Sequence, residues 1–292
     1  MDLIKVEHIK KYYGKYLGVE DISFKIKKGE IYGLIGPNGA GKTTTIRAMM
    51  GMISIDKGEI IIGGKNIPHD LKKIKHKIGY LPGEVNFYEN MKVRDFFDFN
   101  DRFYKNIDKE YENDLIDLLE LETNKKFKEL SMGNKKKVGI IQAIIHKPDY
   151  IIFDEPTNGL DPLLQQKLYG ILKREKERGA TILFSSHILS EVEKICDRVG
   201  IVKKGKIIKE NTIDELSKMY KKAISIYKLD DKNKFKDFEI KEETDSFITY
   251  FVKNQNLNKF FDILSSCTYE DIEIKRPSLE EIFIDYYRSD EE

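Results

Sequence analysis

Apolar and polar residues alternate from the first residues onward. Leu3-Ile4-Lys5-Val6-Glu7 and Ile22-Ser23-Phe24-Lys25-Ile26 carry the two-residue period of half-buried strands. Glu30-Ile31-Tyr32-Gly33-Leu34-Ile35 is a nearly unbroken apolar run and reads as a buried strand. Gly14, Gly18 and the Lys28-Gly29-Glu30 turn separate these runs. Thr44 to Met50 predicts a helix, Gly58 to Gly64 a strand closed by a tight turn, and residues 70–77 a Lys-rich helix. Ile78-Gly79-Tyr80-Leu81-Pro82 predicts a short apolar strand stopped by proline. Over residues 88–147 the period becomes helical, with Val93, Phe96, Phe97, Asn100, Phe103, Leu115, Leu118 and Leu119 at helical spacings. That stretch reads as a mainly helical insertion whose aromatic stripe packs inward. Tyr150 to Glu155 and Thr181 to Ser185 read as further buried strands, with helices over 162–178 and 188–197 and a hairpin over 199–209. Strands alternating with helices predict an α/β fold with a largely parallel sheet. Near residue 215 the pattern changes. Strands at 224–227, 238–240, 247–252 and 270–275, with a helix from Leu257 to Leu264, predict a small α+β domain over residues 216–292. Ser278-Leu279-Glu280-Glu281 has the Ser-x-x-Glu form that opens a helix with a capping box.

Composition narrows the class. A chain of 292 residues holds one large domain, or one with a smaller companion. Charged residues make up 35% but the formal net charge is +1, which excludes a general nucleic-acid binder. The runs Lys72-Lys73 and Lys135-Lys136-Lys137 therefore read as solvated faces. Cys196 and Cys267 have no metal-ligand spacing and fit a reducing compartment. No stretch approaches the ~18–20 apolar residues of a membrane span, and the first residues lack the apolar core of a signal peptide. These features predict a cytoplasmic protein that reaches a membrane only through another chain.

The chemistry gathers at the ends of the predicted strands. Gly36-Pro37-Asn38-Gly39-Ala40-Gly41-Lys42-Thr43-Thr44 lies between a buried strand and a helix, the context of a phosphate-binding loop. Glycines let successive backbone N–H groups converge on phosphate oxygens, and the helix N-terminus adds positive partial charge. Lys42 is expected to reach the β- and γ-phosphates, and the Thr43 hydroxyl to ligate Mg²⁺. Asp154 and Glu155 end a strand expected to lie beside the phosphate-loop strand. Asp154 suits Mg²⁺ held through water, and a second carboxylate at Glu155 suits activation of water for hydrolysis. His187 ends the next strand, where it can donate to a γ-phosphate. Ser131 is a natural N-cap for the helix running through Val138, Ile141 and Ile145, and its free helix start is a second phosphate site. A γ-phosphate is then held between two chains. Tyr13 offers a ring for stacking on a base.

Tyr13, Gly36 to Thr44, Leu130 to Asn134, Ile151 to Glu155, Asn158-Gly159-Leu160-Asp161 and His187 occur in the order found in the nucleotide-binding subunits of ABC transporters, which the chain resembles over about residues 1–215. The resemblance implies a P-loop NTPase core of ABC ATPase type, with a helical subdomain over about 88–147. It implies that Tyr13 stacks on adenine and that Gly36, Asn38, Gly39, Gly41, Lys42, Thr43 and Thr44 bind phosphate and Mg²⁺. Ser131 and Gly133 would close over the ATP of an opposite subunit. Asp154 would serve the metal, Glu155 would be the general base, Asp161 would link the two sites and His187 would contact the γ-phosphate. Two departures stand out. The family's Leu-Ser-Gly-Gly-Gln is here Leu130-Ser131-Met132-Gly133-Asn134, and its Gln after the 78–82 strand is here Gly83, with Glu84 expected to take over the metal contact. The stretch Arg276 to Phe283 resembles the C-terminal extension of drug- and bacteriocin-export subunits of bacteria. The resemblance thus implies an ATPase that works as a homodimer or beside a paired ATPase subunit. It would drive a separate transmembrane permease from the inner face of the plasma membrane and export a drug, peptide or lipophilic substrate. The alternatives are a soluble ABC ATPase acting on ribosomes or DNA, and a P-loop kinase. A single phosphate loop, a short insertion and the Ser131, Asp154-Glu155 and His187 set speak against both.

Overall fold

The computed structural model describes residues 2–104, 107–219 and 222–275. The chain forms two compact units, residues 1–211 and 212–292. The first opens with a long hairpin of β1 (Asp2–Tyr13) and β2 (Tyr16–Lys27), followed by β3 (Ile31–Ile35), the phosphate loop and α1 (Lys42–Met49). Next come β4 (Lys57–Ile62), β5 (Lys65–Ile67), α2 (Leu71–Ile74) and β6 (Ile78–Leu81). Three helices follow: α3 (Val93–Asp101), α4 (Lys109–Leu118) and α5 (Met132–Ile144). The chain then re-enters the sheet through β7 (Tyr150–Asp154), α6 (Pro162–Glu177), β8 (Thr181–Ser186), α7 (Leu189–Ile195), β9 (Arg198–Lys203) and β10 (Lys206–Thr212).

The ten strands form one sheet in the order β5-β4-β1-β2-β10-β9-β3-β8-β7-β6. Its half around β3 is parallel, with β3 between β8 and β9, and β7 between β8 and β6. The half built from β1, β2, β4 and β5 is antiparallel. The sheet is therefore mixed rather than largely parallel. The Gly14-Lys15 turn joins β1 to β2 directly, and only antiparallel strands accept so short a link. The parallel strands β3, β7 and β8 are buried along their whole length, as strands covered on both faces must be. One core of Ile, Val and Leu runs from Ile4 and Ile22 through Leu34 and Ile46 to Ile152 and Leu183. In the helical stretch, Val93, Phe97 and Phe127 are fully buried, and Phe87 stacks on Phe127 at 4.3 Å. Phe103, expected on the same inward stripe, is 67% exposed.

The second unit contains α8 (Ile213–Met219), β11 (Lys222–Tyr227), β12 (Glu239–Glu243), β13 (Phe247–Val252), α9 (Leu257–Leu264) and β14 (Asp271–Lys275). Its four strands pair antiparallel in the order β12-β13-β11-β14. Phe260 of α9 is fully buried against Phe235, Phe238 and Tyr250, with ring centroids 4.9–5.7 Å apart. The expected helix at 278–281 and the stretch 276–283 lie outside the described residues. Two elements are additional to those read from the pattern. β5 is three residues long, too short to show a period. α8 opens with a reciprocal cap in which Thr212 Oγ1 accepts from the Glu215 N–H and Glu215 Oε2 accepts from the Thr212 N–H.

His146, just past α5, stacks on Tyr104 with ring centroids 4.1 Å apart. Burial pushes its imidazole down to about 4. It is therefore neutral in the folded protein while the unfolded chain takes up a proton near pH 6.5. This stability is complete above pH 6.5 and is lost as the pH falls from there towards 4. His146→Phe keeps the stack and removes the titration. Urea denaturation should show the wild type losing about 1–2 kcal/mol more than the variant between pH 7 and pH 5. Equal losses would remove His146 as the source.

Candidate functional site

The site lies at the carboxyl ends of the parallel strands, where open α/β sheets bind their ligands. β3 ends at Ile35, and the loop turns back over the sheet so tightly that Gly36 has no room for a side chain. A Cβ on Gly36 would lie 2.3 Å from the Val202 carbonyl oxygen. Gly41 adopts φ +112, and a Cβ there would lie 3.0 Å from the Gly18 carbonyl oxygen. Gly39 has φ +80. The Gly36 N–H donates to Ser186 O, and the Gly205 N–H donates to Ala40 O, so both flanks of the loop are anchored to neighbouring strands. Gly41 caps α1, which leaves the first N–H groups of that helix unused by the helix itself. Thr44 lies in the first turn, and Thr45 Oγ1 returns a hydrogen bond to Gly41 O.

Lys42 is 4% exposed. Its Nζ donates to Gly36 O at 2.7 Å and Pro37 O at 3.2 Å, and pairs with Glu155 Oε1 at 3.1 Å. The other oxygen of Glu155 accepts from Asn158 Nδ2 at 2.6 Å and lies 2.8 Å from His187 Nδ1. Partial burial works upward on the Glu155 carboxyl, but Lys42, Asn158 and His187 together hold it below the ordinary carboxylate range. It is ionised at neutral pH. Its backbone has φ +46, a left-handed conformation uncommon outside glycine, which aims the carboxylate back at Lys42.

Asp154 is buried at the end of β7. Strand order corrects one expectation here: β7 is not beside β3, because β8 lies between them. Ser185 of β8 fills the gap. Its hydroxyl donates to Asp154 Oδ1 at 2.8 Å and accepts from the Glu155 N–H at 3.0 Å. Thr43, at the start of α1, reaches over β8 to donate to the same Asp154 oxygen at 3.2 Å. Behind these groups, Glu191 is buried and accepts from Thr157 Oγ1 at 2.8 Å and Ser186 Oγ at 2.6 Å. It ties the segment after Glu155 to the segment before His187. A cavity of about 550 Å³ opens over Asp154 and Glu155, and Asn38, Thr43, Arg47, Gly83, Glu84 and Asn158 are among its walls.

The remaining expected residues fall at two nearby places. Ser131 caps α5 by accepting from the Asn134 N–H. A Cβ on Gly133 would lie 3.1 Å from Gly159 O, so the start of α5 rests on the 158–161 loop. Asp161 caps α6 by accepting from the Leu164 N–H at 2.9 Å, with Pro162 in the first turn. Met132, the departure from the family pattern, is 75% exposed. Tyr13 ends β1 with its ring 44% exposed. It lies over Gly18, whose missing side chain makes room for the ring. Gly18 in turn touches Gly41, which brings the Tyr13 ring near the phosphate loop.

The ABC transporter family matches residues 19–158 of the chain. The bacitracin transport ATP-binding protein BcrA of Bacillus licheniformis is 35% identical, over 97% of this chain and 96% of its own. This chain belongs to the ABC transporter family. The linearmycin resistance ATP-binding protein LnrL of Bacillus subtilis (strain 168) is 37% identical over 73% of this chain and 70% of its own. A solved ATP-binding subunit of an ABC transporter superposes with a TM-score of 0.68 at 31% identity, covering 74% of this chain and 92% of that one. The protein is thus an ABC ATP-binding subunit with the ABC ATPase fold, and it hydrolyses ATP to drive transport. Among the described residues of this ABC subunit, no helix is long and apolar enough to cross a membrane.

Three residues around the site escaped the sequence reading. Ser185 and Glu191 look like ordinary strand and helix residues. Lys136, in a run read as solvated, is 2% exposed, and burial pushes its ammonium down to about 8 against the pull of Asp154 and Glu155. No local pattern marks it, because its neighbours Lys135 and Lys137 face outward in part. The close approach at Gly36 gives a direct test. Gly36→Ala should cost about 2–3 kcal/mol in urea denaturation, since the new methyl must push the Val202 carbonyl away. An unchanged midpoint would show that the loop has room to spare.

Proposed function

We propose that two copies of this chain, or this chain and a paired ATPase subunit, clasp two ATP molecules head to tail and drive a separate transmembrane permease. The permease would export a drug, a peptide or another lipophilic compound. The observation that carries the hydrolytic part is the Glu155 carboxylate, held ionised by Lys42 and oriented by Asn158 and His187 at the mouth of the cavity. In this reading the phosphate oxygens of ATP compete for Lys42 Nζ. Losing that partner raises the basicity of Glu155, which then takes the proton from an attacking water. His187 turns the carboxylate towards the water and donates to the γ-phosphate. Tyr13 stacks on adenine. Ser131 and Gly133 cover the γ-phosphate held by the opposite subunit, and Asp161 sits where that subunit's site begins.

The donor set around Asp154 suits Mg²⁺. Thr43 Oγ1 and Asp154 Oδ1 are hard oxygen donors 3.2 Å apart, and Glu84 lines the same cavity. Thr43 and Asp154 would hold the ion, with Glu84 as a further oxygen. Bound there, Mg²⁺ neutralises charge on the β- and γ-phosphates. Two relatives support export of such a cargo: one is a bacitracin transport protein and another a linearmycin resistance protein. The working location is the inner face of the plasma membrane, held by the permease.

Glu155→Gln should bind ATP within a few-fold of wild type and hydrolyse it ~10²–10⁴-fold more slowly in a steady-state phosphate-release assay. Wild-type turnover would take the base assignment from Glu155. The same tagged variant, captured from membranes with Mg-ATP, should bring down a multi-span protein. Recovery of ribosomal or DNA-associated proteins instead would favour the soluble alternative. Specific activity of the wild type should rise with protein concentration, because each site needs Ser131 from the other chain. A strictly linear rate down to nanomolar protein would count against the paired site.

A further inference from the structure

Helix α5 lies on β6 and the loop after it in unusually close contact. A Cβ on Gly79 would fall 2.0 Å from Ala143 O, and one on Gly139 would fall 2.8 Å from Leu81 Cδ1 and 3.0 Å from Val85 Cγ1. Between these two approaches and the N-terminus of α5 sits Lys136. Its stem is buried, and its Nζ donates to Gly83 O at 2.8 Å and Pro82 O at 3.2 Å. These partners are carbonyls, not a carboxylate, while Asp154 and Glu155 act on the ammonium through space. A buried ammonium without a touching counter-ion is costly, and a methionine would fill the same tunnel without that cost. What the ammonium adds is a directional hold on two successive carbonyls of one loop.

That loop lines the wall of the nucleotide cavity. Pro82, Gly83, Glu84 and Asn86 face the cavity that holds Thr43, Asp154 and Glu155. At Gly83 there is room for a side chain, since a Cβ would meet Asp154 only at 3.6–3.9 Å. The loop therefore has no side chain at this position with which to grip its surroundings, and its backbone is gripped from outside. At the other end of the same short connection, five residues before Lys136, Ser131 caps α5. We propose that Lys136 is a positioning residue for ATP hydrolysis, clamping the 82–86 loop to α5 so that Ser131 and Gly133 keep a fixed register to Asp154 and Glu84. The inference rests on the reading of Ser131 and Gly133 as the groups that cover a γ-phosphate. A shift of the loop at one nucleotide is carried by Lys136 to the helix start that serves the other.

The test compares Lys136→Met, which keeps the stem and loses the donor, with Lys136→Gln, which keeps an uncharged donor. Two readouts are taken on the full chain: steady-state ATP hydrolysis, and amide hydrogen exchange of residues 83–88 without nucleotide. Lys136→Met should lower kcat at least tenfold with the KM for ATP within threefold, and should speed exchange in 83–88 about tenfold. Lys136→Gln should fall between it and the wild type in both. Unchanged kcat, unchanged exchange, or a raised KM with normal kcat in Lys136→Met would overturn the clamp. If Lys136→Met does not fold, Lys136→Gln decides: partial loss of both readouts sustains the proposal, and loss of neither overturns it. Ser131→Ala separates the two readings. Wild-type turnover in that variant would remove the γ-phosphate role of Ser131, while the exchange comparison still judges the clamp by itself.

Discussion

A buried ammonium must be paired, and the site is built around how Lys42 is paired. Its three partners are two carbonyls of its own loop and the carboxylate of Glu155. The carbonyls are available because the loop curls over the lysine. The curl needs positive φ at Gly39 and Gly41, and at Gly36 a backbone pressed on Val202. The carboxylate is available because Glu155 itself takes a left-handed conformation just beyond β7. Each partner is anchored again further out. Ser185 holds the Glu155 N–H, Asn158 and His187 hold its free oxygen, and Glu191 holds the segments that carry them. One charge thus fixes a chain of contacts across the ends of three strands. In the proposed function, a polyphosphate that offers stronger anionic partners to the same ammonium would act on all of them at once.

Two buried lysines act on the acid pair at the end of β7, and they are partnered differently. Lys42 meets a carboxylate directly, that of Glu155 in the cavity wall. Lys136 meets only carbonyls and sits behind its wall. In the proposed function the first exchanges its partners for the phosphate oxygens of ATP. The second is 2% exposed and holds only backbone carbonyls, with α5 and β6 pressed together beyond it at Gly79 and Gly139. As proposed, the same charge serves chemistry in one place and mechanical coupling in the other, and the difference is the kind of partner each ammonium meets.

The family's two altered positions fit this geometry. At Gly83 the loop has lost a side chain but keeps two carbonyls in the grip of Lys136, so its path is held through backbone instead. At Met132 a flexible thioether projects from the start of α5 into solvent, while the neighbouring Gly133 stays small enough to rest on Gly159. The contact between α5 and the 158–161 loop needs the glycine, and the methionine lies beside it, where a Cβ on Gly159 would meet its sulfur at 3.7 Å. The groups that cap α5 and α6, Ser131 and Asp161, are likewise retained at both ends of that contact.

The chain by itself determined the phosphate loop, the acid pair, the helix cap at Ser131, and the strand–helix alternation. In each case the chemistry is written in consecutive residues: glycines where φ must be positive, a hydroxyl three residues before an N–H in need of an acceptor, β-branched runs where a strand is buried on both faces. The motif order was enough to reach the ABC family for the same reason. Tertiary structure alone decided which strand lies next to which. The pattern put the strand of Asp154 beside the phosphate-loop strand, but β8 intervenes, and a serine of β8 with no signature of its own holds Asp154. It also decided the antiparallel half of the sheet, the outward turn of Phe103 and the burial of Lys136 between two solvated lysines. These outcomes depend on register and on contacts between residues tens of positions apart. Local periodicity carries no record of such contacts, whereas a loop or a cap is complete within a few residues.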